Sequence, residues 1–189
     1  TTSEQLRHAN SRGLEADYSH TLASLSVTAM DADNSGWASA TARNIHENDA
    51  GMLAQTAVHK AVLGREAQSV EAGEYPVILE PAALMALLEY VADGFNARQV
   101  DEGESFLTRE QIGEPITGAG INLRCDPYHP MLQGQPFDGE GTPNRRIVLV
   151  EDGVAANLLY DRITAEKHDA EPSGYSAGGA SREGAWPSY

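Results

Sequence analysis

YPVILEPAALMALLEYVADG, residues 75–94, decides how the rest of the chain is read. Its first half reads as a short buried strand: Val77, Ile78 and Leu79 are consecutive and apolar, and Pro76 and Pro81 bracket them. Its second half reads as a helix. Proline suits a first helical position, which Pro81 would take. Leu84, Leu88 and Val91 then recur at i, i+4 and i+7, Leu87 adds a second row, and Gly94 marks the stop. A helix entered from a strand can carry chemistry, yet this one offers only Glu89 and Asp93.

Working outward, the segment before it predicts a β-hairpin and a helix. HTLASLSVTAM (20–30) and WASATARNI (37–45) alternate small polar and apolar residues on either side of DADNSG, so 18–45 reads as a hairpin with a polar tip. D-x-D-x-S-G also opens a calcium loop of the EF-hand type. The twelfth position of that loop requires a bidentate glutamate, and Ala42 stands there, so the hairpin turn is preferred. Asn48 or Asp49 caps a predicted helix running to about Val70. Met52, Leu53, Thr56, Val58, His59, Val62 and Leu63 supply its apolar side, and Gly64 weakens its middle. His46-Glu47 begins like a zinc motif, but Ala50 stands where a second histidine is needed, and His59 lies too far along. Residues 3–17 are polar, with a turn at Asn10–Gly13.

After Gly94, Asp101, Glu102 and Glu104 form an acidic cluster that reads as a solvated loop. Phe106, Leu107 and Ile112 read as anchors of a docked loop. Ile121–Leu123 is a predicted strand, 126–144 a long Pro/Gly-rich loop, and Arg145–Val150 a strong strand. Glu151-Asp152-Gly153 then turns the chain into a returning strand, Val154–Tyr160. The last twenty residues, rich in Gly and Ser, read as loop or mobile tail. Irregular alternation of strands and helices predicts α+β: a hairpin-plus-helix unit over 1–72, then a strand, a helix and a largely antiparallel sheet over 73–189.

Composition narrows the function. With 13 Lys and Arg against 28 Asp and Glu, the 189-residue chain carries a net charge of −15. That charge disfavours nucleic acid and anionic membranes as partners. No apolar run approaches the roughly 18 residues of a membrane span. The single cysteine, Cys125, excludes an internal disulfide and suits a reducing cytoplasm. Thr1 in place of an initiating Met, and an end at Tyr189, suggest a fragment.

Several stretches together resemble the TldD/PmbA (TldD/TldE) metalloprotease family, also called modulators of DNA gyrase. They are NSRG (10–13), YPVILEP (75–81), ESFL (104–107), IGEPI (112–116) and PFDGEGTPNRRIVLVEDGV (136–154). The last is the most specific. The resemblance implies the family's middle region over 1–72 and the first part of its C-terminal domain over 73–189. It also implies proteolysis: in the TldD type, the helix after the LEP-like strand carries HExxxH, whose histidines join a later cysteine to hold zinc, with the glutamate as general base. Those positions fall here on Leu88, Glu89, Tyr90, Val91, Ala92 and Asp93. Only the glutamate matches. The departure points to the PmbA/TldE type, a subunit with no metal of its own that pairs in a heterodimer with a zinc-bearing TldD-like partner to handle unfolded peptides. Cys125 does not match the ligand cysteine and reads as a small buried hydrophobe. Asp138 and Glu140 would face partner or substrate, or else form a tight turn on backbone N–H groups. Two other readings are open: an active peptidase using Glu89, Asp93 and His129 or His46, and a protein-interaction module unrelated to proteolysis.

Overall fold

A computed structural model describes residues 1–31, 33–130, 134–178 and 184–187. It falls into two units: Thr1–Leu6 with Ser19–Val77, and Arg7–Tyr18 with Ile78–Tyr189. The architecture is α+β, as the sequence pattern predicts, with two three-stranded sheets among the described residues.

The first sheet has the order β1-β2-β3, with β1 at Thr2–Ala9, β2 at Glu15–Asp31 and β3 at Asn34–Ala42. The expected hairpin is β2 and β3, paired antiparallel from Ala23↔Ala42 to Asp31↔Asn34. Of its two-residue tip, Ala32 lies outside the described residues. β1 is not anticipated, because its side chains are largely exposed and so carry little apolar signal. The burial alternation of β2 slips by one residue at Leu22 and Ala23, as an extra residue in a strand produces.

Helix α1 spans Ala50–Leu63, and Asp49 caps it by accepting from the Met52 N–H at 2.9 Å. It is shorter than predicted: Gly64 is its C-cap, not its middle, and a single 3₁₀ turn follows at Gly64–Glu66. Its buried face also differs from the predicted one. Ala57 and Ala61 are buried, whereas Met52, Val58, Val62 and Leu63 are exposed. The reason lies on β3, whose inward positions are small. A Cβ on Gly36 would run into the backbone of Ala57 and Ala61, so helix and strand touch almost main chain to main chain. Only methyl-sized helix residues fit that gap.

In the second unit, α2 spans Pro81–Asp93 with proline at its first turn and Gly94 as C-cap, as the periodicity predicts. The strand expected just before it is not formed. Residues 74–80 pair with no strand among the described residues, and Val77 and Ile78 are exposed. Apolar, extended residues become a strand only with a partner edge. Asn96 then caps α3 (Ala97–Glu102) through the Arg98 N–H at 3.0 Å. Gly94 has a steric role besides the cap. A Cβ there would enter the ring of Phe106, which stacks edge-on against buried Phe95 at 6.3 Å. Gly94→Ala should therefore cost about 1–3 kcal/mol by overpacking. Denaturant unfolding measures the loss, and adding Phe106→Ala should relieve part of it; a fully stable Gly94→Ala variant would show the contact to be loose.

The second sheet is antiparallel, with β4 (Leu123–Cys125), β5 (Ile147–Glu151) and β6 (Val154–Ala155) in that order. Asp152 and Gly153 both have positive φ, 47° and 85°, the two-residue turn that matches strand twist. β4 begins two residues later than predicted. The return strand pairs over two residues only, after which Leu158 and Leu159 enter the core. A short helix, α4 (Arg162–Lys167), follows and is not anticipated. Phe95, Leu107, Leu149, Val150 and Leu159 anchor the core, and Cys125 lies 3% exposed among them.

The C-terminal residues are not a loose tail where described. Tyr175 and Ala185 are buried, Ser176 and Ala185 form a bridge, and the Trp186 N–H donates to the Tyr175 carbonyl at 2.9 Å. Residues 179–183 and 188–189 lie outside the described residues, as do 131–133 of the long loop.

Candidate functional site

Leu88, Glu89 and Asp93, the positions the family resemblance singles out, sit on α2 without converging on a point. Leu88 is half-buried and walls an apolar cavity of about 740 Å³ with Leu84, Val91, Phe106, Ile121 and Val150. Glu89 is exposed, and Asp93 is partly buried at the last turn. Burial raises the Asp93 carboxyl above its ordinary range, and the Glu89 charge one turn earlier raises it further.

This donor set does not fit zinc. Leu88 has no lone pair to give, and burial together with the Glu89 charge disfavours the ionised, ligating form of Asp93. Among the described residues, no three His, Cys, Asp or Glu side chains converge so as to hold a metal. Cys125 is no substitute: burial pushes its thiol up to about 12, so it stays protonated and does not act as a thiolate ligand.

Asp138 and Glu140 lie together in the long loop but differ in surroundings. Asp138 is buried. Its Oδ1 accepts from the N–H groups of Glu140 at 2.9 Å and Thr142 at 2.8 Å, and its Oδ2 accepts from the Ser176 N–H at 3.1 Å. One carboxylate thus folds its own loop and ties it to the C-terminal segment. Asn144 works similarly, donating to the Gln135 carbonyl and accepting from the Tyr175 N–H at 2.7 Å. That bond helps hold Tyr175 at φ 68°, a left-handed conformation unusual for an aromatic residue. Glu140 is half-buried and accepts from the Arg162 N–H at 3.2 Å, at the start of α4. Its carboxyl is raised, first by burial and then by the neighbouring Asp138 and Asp161, although the Arg162 contact pulls the other way.

The most densely paired carboxylate among the described residues is one that the sequence pattern assigns to solvent. Asp101 on α3 has a side chain 9% exposed. Its Oδ1 accepts from Arg109 Nε at 2.8 Å and Nη2 at 2.6 Å, and its Oδ2 meets Lys167 Nζ at 2.7 Å and His168 Nε2 at 2.8 Å. Burial works against its charge, but hydrogen bonds from Lys167, His168 and Arg109 outweigh that and hold its carboxyl far below the ordinary range. Arg109 also donates to the Tyr160 hydroxyl at 3.1 Å. Nearby, the buried acid Asp161 caps α4 through Thr164 and pairs with Arg98 at 3.0 Å. These pairs fasten α3 to α4. The basic partners of Asp101 lie 8, 66 and 67 residues away, so no local pattern reveals them.

Helix α2 and the small antiparallel sheet β4-β5-β6 together lie in a metallopeptidase-type C-terminal domain. Residues 72–187 match the PmbA/TldA metallopeptidase C-terminal domain, and the chain belongs to the TldD/PmbA family. It is similar to the uncharacterized protein MJ0231 of Methanocaldococcus jannaschii, 29% identical over 92% of this chain and 41% of that protein. A metalloprotease of Methanothermobacter thermautotrophicus is 29% identical over 69% of the chain and 29% of its own length. Among solved structures, TM0727 of Thermotoga maritima, which carries a DNA-gyrase-modulator name, superposes with a TM-score of 0.87 at 25% identity, over 98% of this chain and 43% of that one. TldE of Thermococcus kodakarensis shares the fold, with a TM-score of 0.84 at 23% identity over 99% of this chain and 43% of its own. The chain thus spans about two fifths of the length of MJ0231 and of these two structures. No helix among the described residues is long and apolar enough to cross a membrane.

Proposed function

We propose that this chain belongs to a non-catalytic, PmbA/TldE-like subunit of a TldD/TldE-type metalloprotease that degrades or processes unfolded peptides in the cytoplasm. In this reading residues 1–72 come from the family's middle region and 73–189 from the first part of its C-terminal domain. The observation that carries the proposal is on α2: where the family's catalytic pattern calls for imidazoles, Leu88 faces an apolar cavity and Asp93 is a partly buried acid. Zinc is then held by the TldD-like partner, in a heterodimer. A net charge of −15 supports peptide rather than nucleic acid as the substrate. Within the loop at 138–140, the contact to partner or substrate falls to Glu140, because the Asp138 carboxylate is taken up by three backbone N–H groups.

The test is elemental analysis and peptide cleavage, on the protein alone and mixed with a TldD-type subunit. Zinc should be far below one per chain when it is alone, and an unstructured peptide should be cut only in the mixture. Glu89→Gln should leave cleavage by the mixture within about twofold, since the residue makes no bond to the reacting centre in this reading. Stoichiometric zinc in the lone chain, or chelator-sensitive cleavage by it, would establish an active peptidase with atypical ligands instead. A mixture that never associates or cleaves would favour an interaction module unrelated to proteolysis.

A further inference from the structure

No further inference is drawn: the strongest candidate, the half-open apolar cavity of the second unit between α2 and the segment leading into β4, walled by Leu84, Leu88, Val91, Phe106 and Ile121, carries nothing because nothing in the structure shows what covers it.

Discussion

Alanine in place of Asp138 should lower stability by about 3 kcal/mol, a drop of roughly 6–12 °C in Tm for a chain of this size. The side chain is buried and small, so little of this loss comes from packing. It comes from three backbone N–H groups, of Glu140, Thr142 and Ser176, that lose their acceptor at once. Hydrogen bonds to an ionised acceptor are worth about 1.5–3 kcal/mol each, but three that share one carboxylate do not add, which sets the total nearer the sum of two weak ones. Asp138→Asn separates the contributions. It keeps one oxygen able to accept from Glu140 and Thr142, and it loses the acceptor facing Ser176. The asparagine variant should therefore fall between parent and alanine, with amide exchange accelerated chiefly at Ser176. Equal stability of all three proteins in urea would show that the loop is held by something else.

Removal of the Asp101 carboxylate should be nearly as damaging, for a different reason. Asp101→Ala leaves Arg109, Lys167 and His168 crowded around a site with no counter-charge. Breaking a buried ion pair typically costs about 3–5 kcal/mol. Here Lys167 is 60% exposed and Arg109 30% exposed, so water relieves part of the repulsion and about 2–3 kcal/mol is expected.

The same residue sets an acid limit. Its folded carboxyl titrates below its unfolded one, so the unfolded chain takes up the proton first as pH falls. The stabilisation is complete above the ordinary aspartate value, about pH 4, and drains away below it toward the folded value. Parent and Asp101→Asn should differ most at pH 5–7 and converge as pH falls toward about 2. A gap between the two unfolding curves that stays constant down to that pH would refute the ionic account.

What the sequence discloses depends on how far apart the interacting residues lie. Helix α2 is legible because everything that makes it is local: a proline to start, leucines at helical spacing, a glycine to stop. The Asp138 loop is legible for the same reason, since two of its three donors lie two and four residues on. Val77–Leu79 reads as a strand because apolar, β-favouring residues sit between prolines, but pairing needs an edge that local sequence does not name. The buried face of α1 is misread for a subtler reason. Hydrophobicity points to Met52, Val58 and Val62, whereas the fit against Gly36 admits only Ala57 and Ala61. The C-terminal stretch is misjudged by composition: among its glycines and serines, Tyr175 and Ala185 suffice to seat it in the core. At the candidate site, the grouping of Leu88, Glu89 and Asp93 on one helix can be read directly from the sequence. Asp101, tied to partners 66 and 67 residues distant, cannot.

The lone sulfhydryl offers a built-in clock. Cys125 is the chain's only thiol, it is shielded, and its ionisation is suppressed until the surrounding residues part. A colourless disulfide reagent added at mildly alkaline pH should then report breathing of the second unit: slow colour release from intact molecules, immediate release in denaturant. The ratio of the two rates reads out the opening equilibrium without any engineered label.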